Sequence, residues 1–115
     1  MSTAATPEGS WDAQVSRPRG TSSVVVHFTP QGEVFLLSGG AGRWSPGGPG
    51  QFRFTVAEAI VDDGGDFTGW VRIEQEAVLR TGPGGFTSRG RSIVHDAGGR
   101  PAYTADITIV ARRAT

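Results

Sequence analysis

Apolar and polar residues alternate with period two along most of the chain, and clusters of Gly, Pro and Asp interrupt the alternation at short intervals. This pattern predicts antiparallel β-strands joined by hairpins, because Gly supplies the positive φ of a tight turn and Pro or Asp fixes or caps it. No segment has a convincing helical period. The predicted strands are residues 10–16, 22–29, 33–38, 42–45, 51–61, 68–79, 85–95 and 102–113.

Eight consecutive hairpin-linked strands leave two unpaired edges unless the sheet closes on itself. Eight is also the strand number at which a closed barrel is just filled by its side chains or holds one small ligand. We therefore predict an all-β, single-domain, eight-stranded antiparallel up-and-down β-barrel over residues 9–115. Residues 1–8, which are small and polar and include Pro7, are predicted to form a disordered tail.

The alternation also assigns one face of each strand to the barrel interior. In the strand 51–61 this inner face carries Phe52, Phe54, Val56, Glu58 and Ile60. Turn positions predict the register, in which inner faces meet one another across each hairpin. The predicted partners are Glu58 with Val71 or Ile73, Gln75 with Gly90, Ile73 with Ser92, and Val94 with Tyr103.

The composition excludes several classes of protein. The 11 basic and 11 acidic residues balance, so the chain lacks the positive charge expected of a protein that binds nucleic acid or an anionic membrane. It has no cysteine, and the two histidines, His27 and His95, lack metal-ligand spacing. No cofactor or metal is therefore predicted. Residues 1–9 lack a signal-peptide pattern and no apolar run is long enough to span a membrane, which favours a cytoplasmic bacterial protein.

Glu58 interrupts an otherwise apolar inner face. A carboxyl group in a barrel interior is costly unless it is paired or hydrogen-bonded, and such groups often serve as general acids or bases. Glu58 is therefore the candidate catalytic residue. Two structural alternatives remain open: a twist or bulge near Ala57 turns the side chain to solvent, or an arginine pairs with it.

Gln75, Ser88 and Ser92 form a second candidate group, since they are polar and are predicted to point inward from neighbouring strands. Together with Trp44 and Tyr103 they would supply the few convergent polar groups of a mostly apolar pocket. The alternative is an internal hydrogen-bond network, or serine used where space is tight.

The two ends of the chain carry a pattern that resembles the calycins, the lipocalins and their relatives. Gly9-Ser10-Trp11 opens the first strand, and Arg112 and Arg113 close the last. The resemblance implies that Trp11 closes one end of the barrel and that Arg112 or Arg113 packs over it. The segments Gly42-Arg43-Trp44, Phe52-Arg53-Phe54 and Gly69-Trp70-Val71 also resemble small lipocalin-like proteins of actinobacteria.

The architecture is similar, more loosely, to that of the allene oxide cyclase-like barrel cyclases. These resemblances imply a barrel that binds small, mainly apolar molecules, and they do not choose among binder, carrier and cyclase.

Three functions are consistent with the sequence. In the first, a small apolar molecule is held among Trp44, Phe52, Phe54, Ile73 and Tyr103 and oriented by Glu58 and Gln75. In the second, the same barrel is a cofactor-independent cyclase or isomerase of polyketide-like substrates, in which Glu58 moves a proton. In the third, the interior is filled and the chain is a structural or interaction module.

The outer face of the strand 51–61 is unusually apolar for a surface. Its outward residues Thr55, Ala57, Ala59 and Val61 form a continuous stripe. Exposed apolar patches often mark contacts between proteins. The stripe therefore predicts a contact between copies of this chain.

Overall fold

The alternating segments form β-strands in the computed structural model, which describes residues 6–80 and 84–114. Each predicted strand is present, and every boundary lies within two residues of the prediction. The strands are β1 (Gly9–Arg17), β2 (Gly20–Phe28), β3 (Glu33–Leu36), β4 (Ala41–Pro46), β5 (Gln51–Val61), β6 (Phe67–Leu79), β7 (Gly85–Asp96) and β8 (Pro101–Arg113).

Each strand pairs with its neighbours in the chain, and β1 also pairs with β8, so the sheet closes into a barrel with the order β1 to β8. The closing ladder runs from Trp11 opposite Arg113 to Ser16 opposite Thr108. The predicted eight-stranded up-and-down barrel is confirmed. Closure pairs the backbone groups that an open sheet would leave exposed at β1 and β8.

The predicted register is confirmed across the three long hairpins. Glu58 lies opposite Val71, and Ile73 lies opposite Ser92. Inner faces meet inner faces because each hairpin turn is short and sets the parity of the strands it joins. The two other predicted pairs, Gln75 with Gly90 and Val94 with Tyr103, are also present in the structure.

The barrel has two unlike ends. The hairpins β1–β2, β3–β4, β5–β6 and β7–β8 lie at one end, which we call the open end. The other connections and both chain termini lie at the opposite, closed end. The strands β5 to β8 have 11 to 13 residues and β1 to β4 have 4 to 9, so one wall extends farther at the open end.

Aromatic side chains fill the closed half of the barrel. Phe28 is fully buried at the centre of this cluster, and its ring lies 5.3 Å from that of Phe54, centroid to centroid. Most of the ring pairs meet edge to face, an arrangement favoured by the charge distribution of aromatic rings. The other rings of the cluster are those of Trp11, Trp44, Phe52 and Phe86.

The closed end is covered by the residues before β1. Pro7 is buried, and its carbonyl oxygen accepts a hydrogen bond of 2.7 Å from Trp11 Nε1. Arg113 donates to the carbonyl oxygens of Thr6 and Glu8. Residues 6–8 of the predicted tail therefore contact the barrel, while residues 1–5 lie outside the described part, as do residues 81–83 of the predicted β6–β7 turn.

Candidate functional site

Two adjoining cavities occupy the open half of the barrel, with volumes of about 250 and 230 Å³. Both are lined by Arg17, Glu58 and Ile73, which form their shared wall. The other lining residues belong to one cavity each, and most of them are apolar. The first cavity adds Val15, Ser22, Ser23, Val24, Val26, Leu36, Ser38, Phe54, Val56 and Ile109, and the second adds Pro18, Arg19, Val71, Ser92, Val94, Tyr103, Ala105 and Ile107.

Side-chain size explains why the open half is hollow and the closed half is not. The closed half carries the six aromatic side chains of the cluster, whose rings pack against one another in the interior. The open half carries smaller side chains at many of its inner positions, for example Val15, Val24 and Ser92. An eight-stranded barrel is just filled by large side chains, so smaller ones leave space.

Glu58 lies on the inner face of β5 and is half-buried. The β5–β6 register is regular through the pair Glu58 and Val71, and it shifts only at Ile60 and Val61, nearer the hairpin. The alternation therefore keeps the carboxylate on the inner side of the wall. Its Oε1 atom lies 4.0 Å from the position that a Cβ atom at Gly39 would occupy, beside the β3–β4 turn.

The Glu58 carboxylate has no ion-pair partner among residues 6–80 and 84–114. The ion pairs found there join Glu74 to Arg72 and to Arg91 on the outer wall. Glu58 thus lines both cavities with an acceptor group that no arginine of the described chain neutralises by direct contact.

Arg17 was not a candidate from the sequence, although the alternation that begins at Trp11 places it on the inner face of β1. The structure puts it at the rim of the open end, where its Nη1 donates a hydrogen bond of 2.7 Å to Ser22 Oγ. Ser22 itself lines the first cavity. The guanidinium group is therefore held on the inner side of the rim, facing the mouth of the barrel.

Gln75 and Ser88 are buried, and they bind each other. Ser88 Oγ donates a hydrogen bond of 2.7 Å to Gln75 Oε1, and Gln75 Nε2 donates to the carbonyl oxygens of Glu74 and Ile107. This network connects β6, β7 and β8 across the interior. Its polar atoms are satisfied within the protein and line neither cavity.

The structure divides the residues singled out in the sequence into two groups. Phe54, Glu58, Ile73, Ser92 and Tyr103 line the cavities. Trp44, Phe52, Gln75 and Ser88 line neither of them. The Trp44 Nε1 atom donates a hydrogen bond of 2.8 Å to the carbonyl oxygen of Thr29 at the closed end, and Phe52 lies in the aromatic cluster.

At the closed end, the Arg113 guanidinium lies 4.2 Å from the centre of the Trp11 ring. Arg112 occupies the alternate position and points to the outer wall, as the pairing of Arg112 with Asp12 shows. The distance is within the range of a cation–π interaction.

The described ranges 6–80 and 84–114 contain no cluster of three or more His, Asp or Glu side chains placed to hold a metal ion. The acidic turn after β5 is organised by Asp62, whose Oδ1 accepts hydrogen bonds from the N–H groups of Gly64 and Asp66. These ranges also contain no helix with the length and apolar character needed to cross a membrane.

Comparison of the chain with protein-family models, with curated proteins and with solved structures finds no match. The geometry of the two cavities and the residues that line them are what indicate a function.

Proposed function

We propose that this protein binds a small, mainly apolar molecule in the open half of its barrel. The observation that carries the proposal is the pair of adjoining cavities, which share a wall and are lined mostly by apolar side chains. Small-molecule sites have volumes of roughly 300–1,000 Å³, so each cavity alone suits a very small ligand and the two together suit a larger one.

The division of the barrel into two halves favours this function. The packed aromatic cluster stabilises the closed half, so the open half does not need to be filled for the barrel to fold. A pre-formed apolar cavity gains about 25 cal/mol for each Å² of apolar ligand surface that it buries. The structural-module alternative predicts a filled interior, so the two cavities favour binding over it.

The closed end supports the resemblance to calycins. The stacking of Arg113 on Trp11 brings together the two ends of the chain that carry the resemblance, and Arg112 takes no part in it. We propose that Arg113 and Trp11 close this end, which leaves the opposite end as the entrance.

A cavity-filling variant tests the binding function. Ile73 lies in the wall shared by both cavities, so Ile73→Trp should fill them and abolish binding of a neutral apolar dye such as aminoanthracene. Thr104→Trp is the matched control, because Thr104 is exposed on β8. We expect dye fluorescence to rise with the wild type and the control only. Equal binding by both variants would place the dye elsewhere and refute the proposal.

A cofactor-independent isomerase or cyclase is the second candidate function. It is favoured by one observation: Glu58, a half-buried carboxylate, lines both cavities. A base in this position could remove a proton from a carbon next to a carbonyl group and return it elsewhere on the molecule.

Glu58→Gln separates the two functions, because it keeps the shape of the side chain and removes the base. Deuterium exchange next to the carbonyl of an eight-carbon methyl ketone, followed by NMR, measures proton removal directly. An enzyme should lose this exchange in Glu58→Gln and keep it in Glu76→Gln, whose side chain is exposed on the outer wall. A binder should show no catalysed exchange and bind aminoanthracene equally in all three proteins.

A further inference from the structure

Two side chains of opposite charge, Arg17 and Glu58, line both cavities at the rim, and Arg19 in the β1–β2 turn lines the second cavity alone. Arg17 is held on the inner rim by its hydrogen bond to Ser22, at the β1–β2 hairpin. The Glu58 carboxylate lies beside Gly39, at the β3–β4 hairpin. Each of the two charged residues lines both cavities, so a ligand that occupies either cavity meets both of them.

The two groups do not neutralise each other by direct contact. Ion pairs within residues 6–80 and 84–114 are confined to the outer wall, at Glu74. Arginine offers only hydrogen-bond donors, and an ionised carboxylate offers only acceptors. The mouth therefore presents donors from Arg17, joined by Arg19 at the second cavity, and acceptors from Glu58 above a mostly apolar interior.

We infer that the ligand carries, at the end that stays in the mouth, an uncharged polar group with both a donor and an acceptor. A primary carboxamide is the simplest such group, and its carbonyl oxygen would accept from Arg17 while its N–H donates to Glu58. The apolar remainder of the ligand would fill the cavities. This inference rests on the proposed binding function and specifies the chemical class of its ligand.

The charges of the rim also act against other head groups. A carboxylate would be attracted by Arg17 and repelled by Glu58. An ammonium group would be repelled by Arg17 and attracted by Glu58. Repulsion between like charges discriminates between ligands of the same shape, more strongly at the half-buried Glu58 than at the exposed Arg17, where water screens the charge. An uncharged donor–acceptor group satisfies both residues and avoids both repulsions.

Three ligands with the same apolar chain test the inference: octanamide, octanoate and octylamine. Their affinities at neutral pH are measured by displacement of aminoanthracene and checked by calorimetry. We expect the wild type to bind octanamide about tenfold more tightly than either charged ligand.

Variants of the two rim residues should change this order in opposite directions. Glu58→Gln removes the repulsion of a carboxylate, so its affinity for octanoate should rise about tenfold. Arg17→Gln removes the arginine that lines both cavities and leaves Arg19 at the second, so its affinity for octylamine should rise by up to a similar factor. Glu76→Gln and Arg112→Gln, both on the outer wall, are matched controls and should leave the order unchanged.

The outcomes separate this inference from the proposed function. If aminoanthracene and all three ligands fail to bind, the proposed function is wrong and the inference fails with it. If the ligands bind but the wild type prefers octanoate or octylamine, the inference is wrong and the binding function stands. Equal affinities that neither rim variant alters would likewise overturn only the inference.

Discussion

Arg113 contributes to the closed end through both its charge and its flat shape. Its guanidinium lies 4.2 Å from the centre of the Trp11 ring and also donates hydrogen bonds to the segment before β1. It therefore connects the last strand, the first strand and residues 6–8. Arg112, its neighbour in the chain, takes the alternate side of β8 and makes none of these contacts.

Arg113→Ala should lower the free energy of unfolding by about 1–2 kcal/mol, because it removes a cation–π contact and hydrogen bonds to carbonyl oxygens. Arg112→Ala should change it by less than about 0.5 kcal/mol. Urea unfolding followed by tryptophan fluorescence measures both. Equal effects of the two substitutions would contradict the role of Arg113.

Ser88 stabilises the interior by donating a hydrogen bond to the buried amide oxygen of Gln75. Its hydroxyl donates to Gln75 Oε1, and both residues are buried. Ser88→Ala should lower the free energy of unfolding by about 1–3 kcal/mol, since the amide oxygen loses its partner and water has no access. Ser45→Ala, at an exposed position of β4, is the control and should be nearly neutral in the same urea titration. A neutral Ser88→Ala would show that Gln75 finds another donor.

At the scale of the strands, β6 and β7 approach each other closely at Gly90. A Cβ atom at this position would lie 1.8 Å from the carbonyl oxygen of Glu74, which is far inside van der Waals contact. The absence of a side chain at Gly90 therefore lets the two backbones come together.

Gly90→Ala should therefore force β6 and β7 apart and lower the free energy of unfolding by at least about 2 kcal/mol. Gly98→Ala is the matched control, because a Cβ atom there meets only the side chain of Asp96, at 3.4 Å. Thermal unfolding monitored by circular dichroism compares the two variants. A Gly90→Ala protein as stable as the control would show that the β6–β7 ladder can relax at little cost.

The short strand β3 shows where alternation is a weaker guide. The pattern predicted a strand to residue 38, but β3 ends at Leu36. The turn begins there because Gly39 N–H donates to the carbonyl oxygen of Leu36, with Gly39 in the positive-φ region. Leu37 is left 80% exposed. Apolar residues can continue from a strand into the turn that follows, as Leu37 does here. The hydrophobic pattern therefore does not mark the end of such a strand.

At the scale of the whole molecule, the outer stripe of β5 lies between groups of opposite charge. The acidic β5–β6 turn follows one end of the stripe, and Arg43 pairs with Thr55 at the other. In an antiparallel arrangement of two copies, the acidic turn of each would lie toward Arg43 of the other.

The stripe thus predicts that two copies of the chain associate through their outer walls. Ala59→Glu should dissociate this dimer, because it places a charge within the apolar stripe. Val110→Glu is the control, since Val110 is 58% exposed on the outer face of β8. Sedimentation velocity at micromolar concentration measures the outcome. A wild-type protein that sediments only as a monomer would contradict the prediction.

The sequence alone determined the barrel and its register, and it placed Glu58 on the inner face of β5 while leaving open a bulge that would turn the side chain to solvent. These features follow from local rules: alternation assigns the faces, turn residues set the parity of each hairpin, and closure removes the two unpaired edges that eight hairpin-linked strands would otherwise leave.

Tertiary structure decided which inner residues fill the barrel and which surround a cavity. Trp44, Phe52, Gln75 and Ser88 share the inner face with Ile73 and Ser92, and alternation cannot separate the two groups. The difference depends on height along the barrel axis, which is set by the stagger of all eight strands together. The position of Arg17 also depends on the tertiary structure. Because the barrel is closed, the end of β1 lies at the mouth beside Glu58 and Ile73, which are distant from it in the chain.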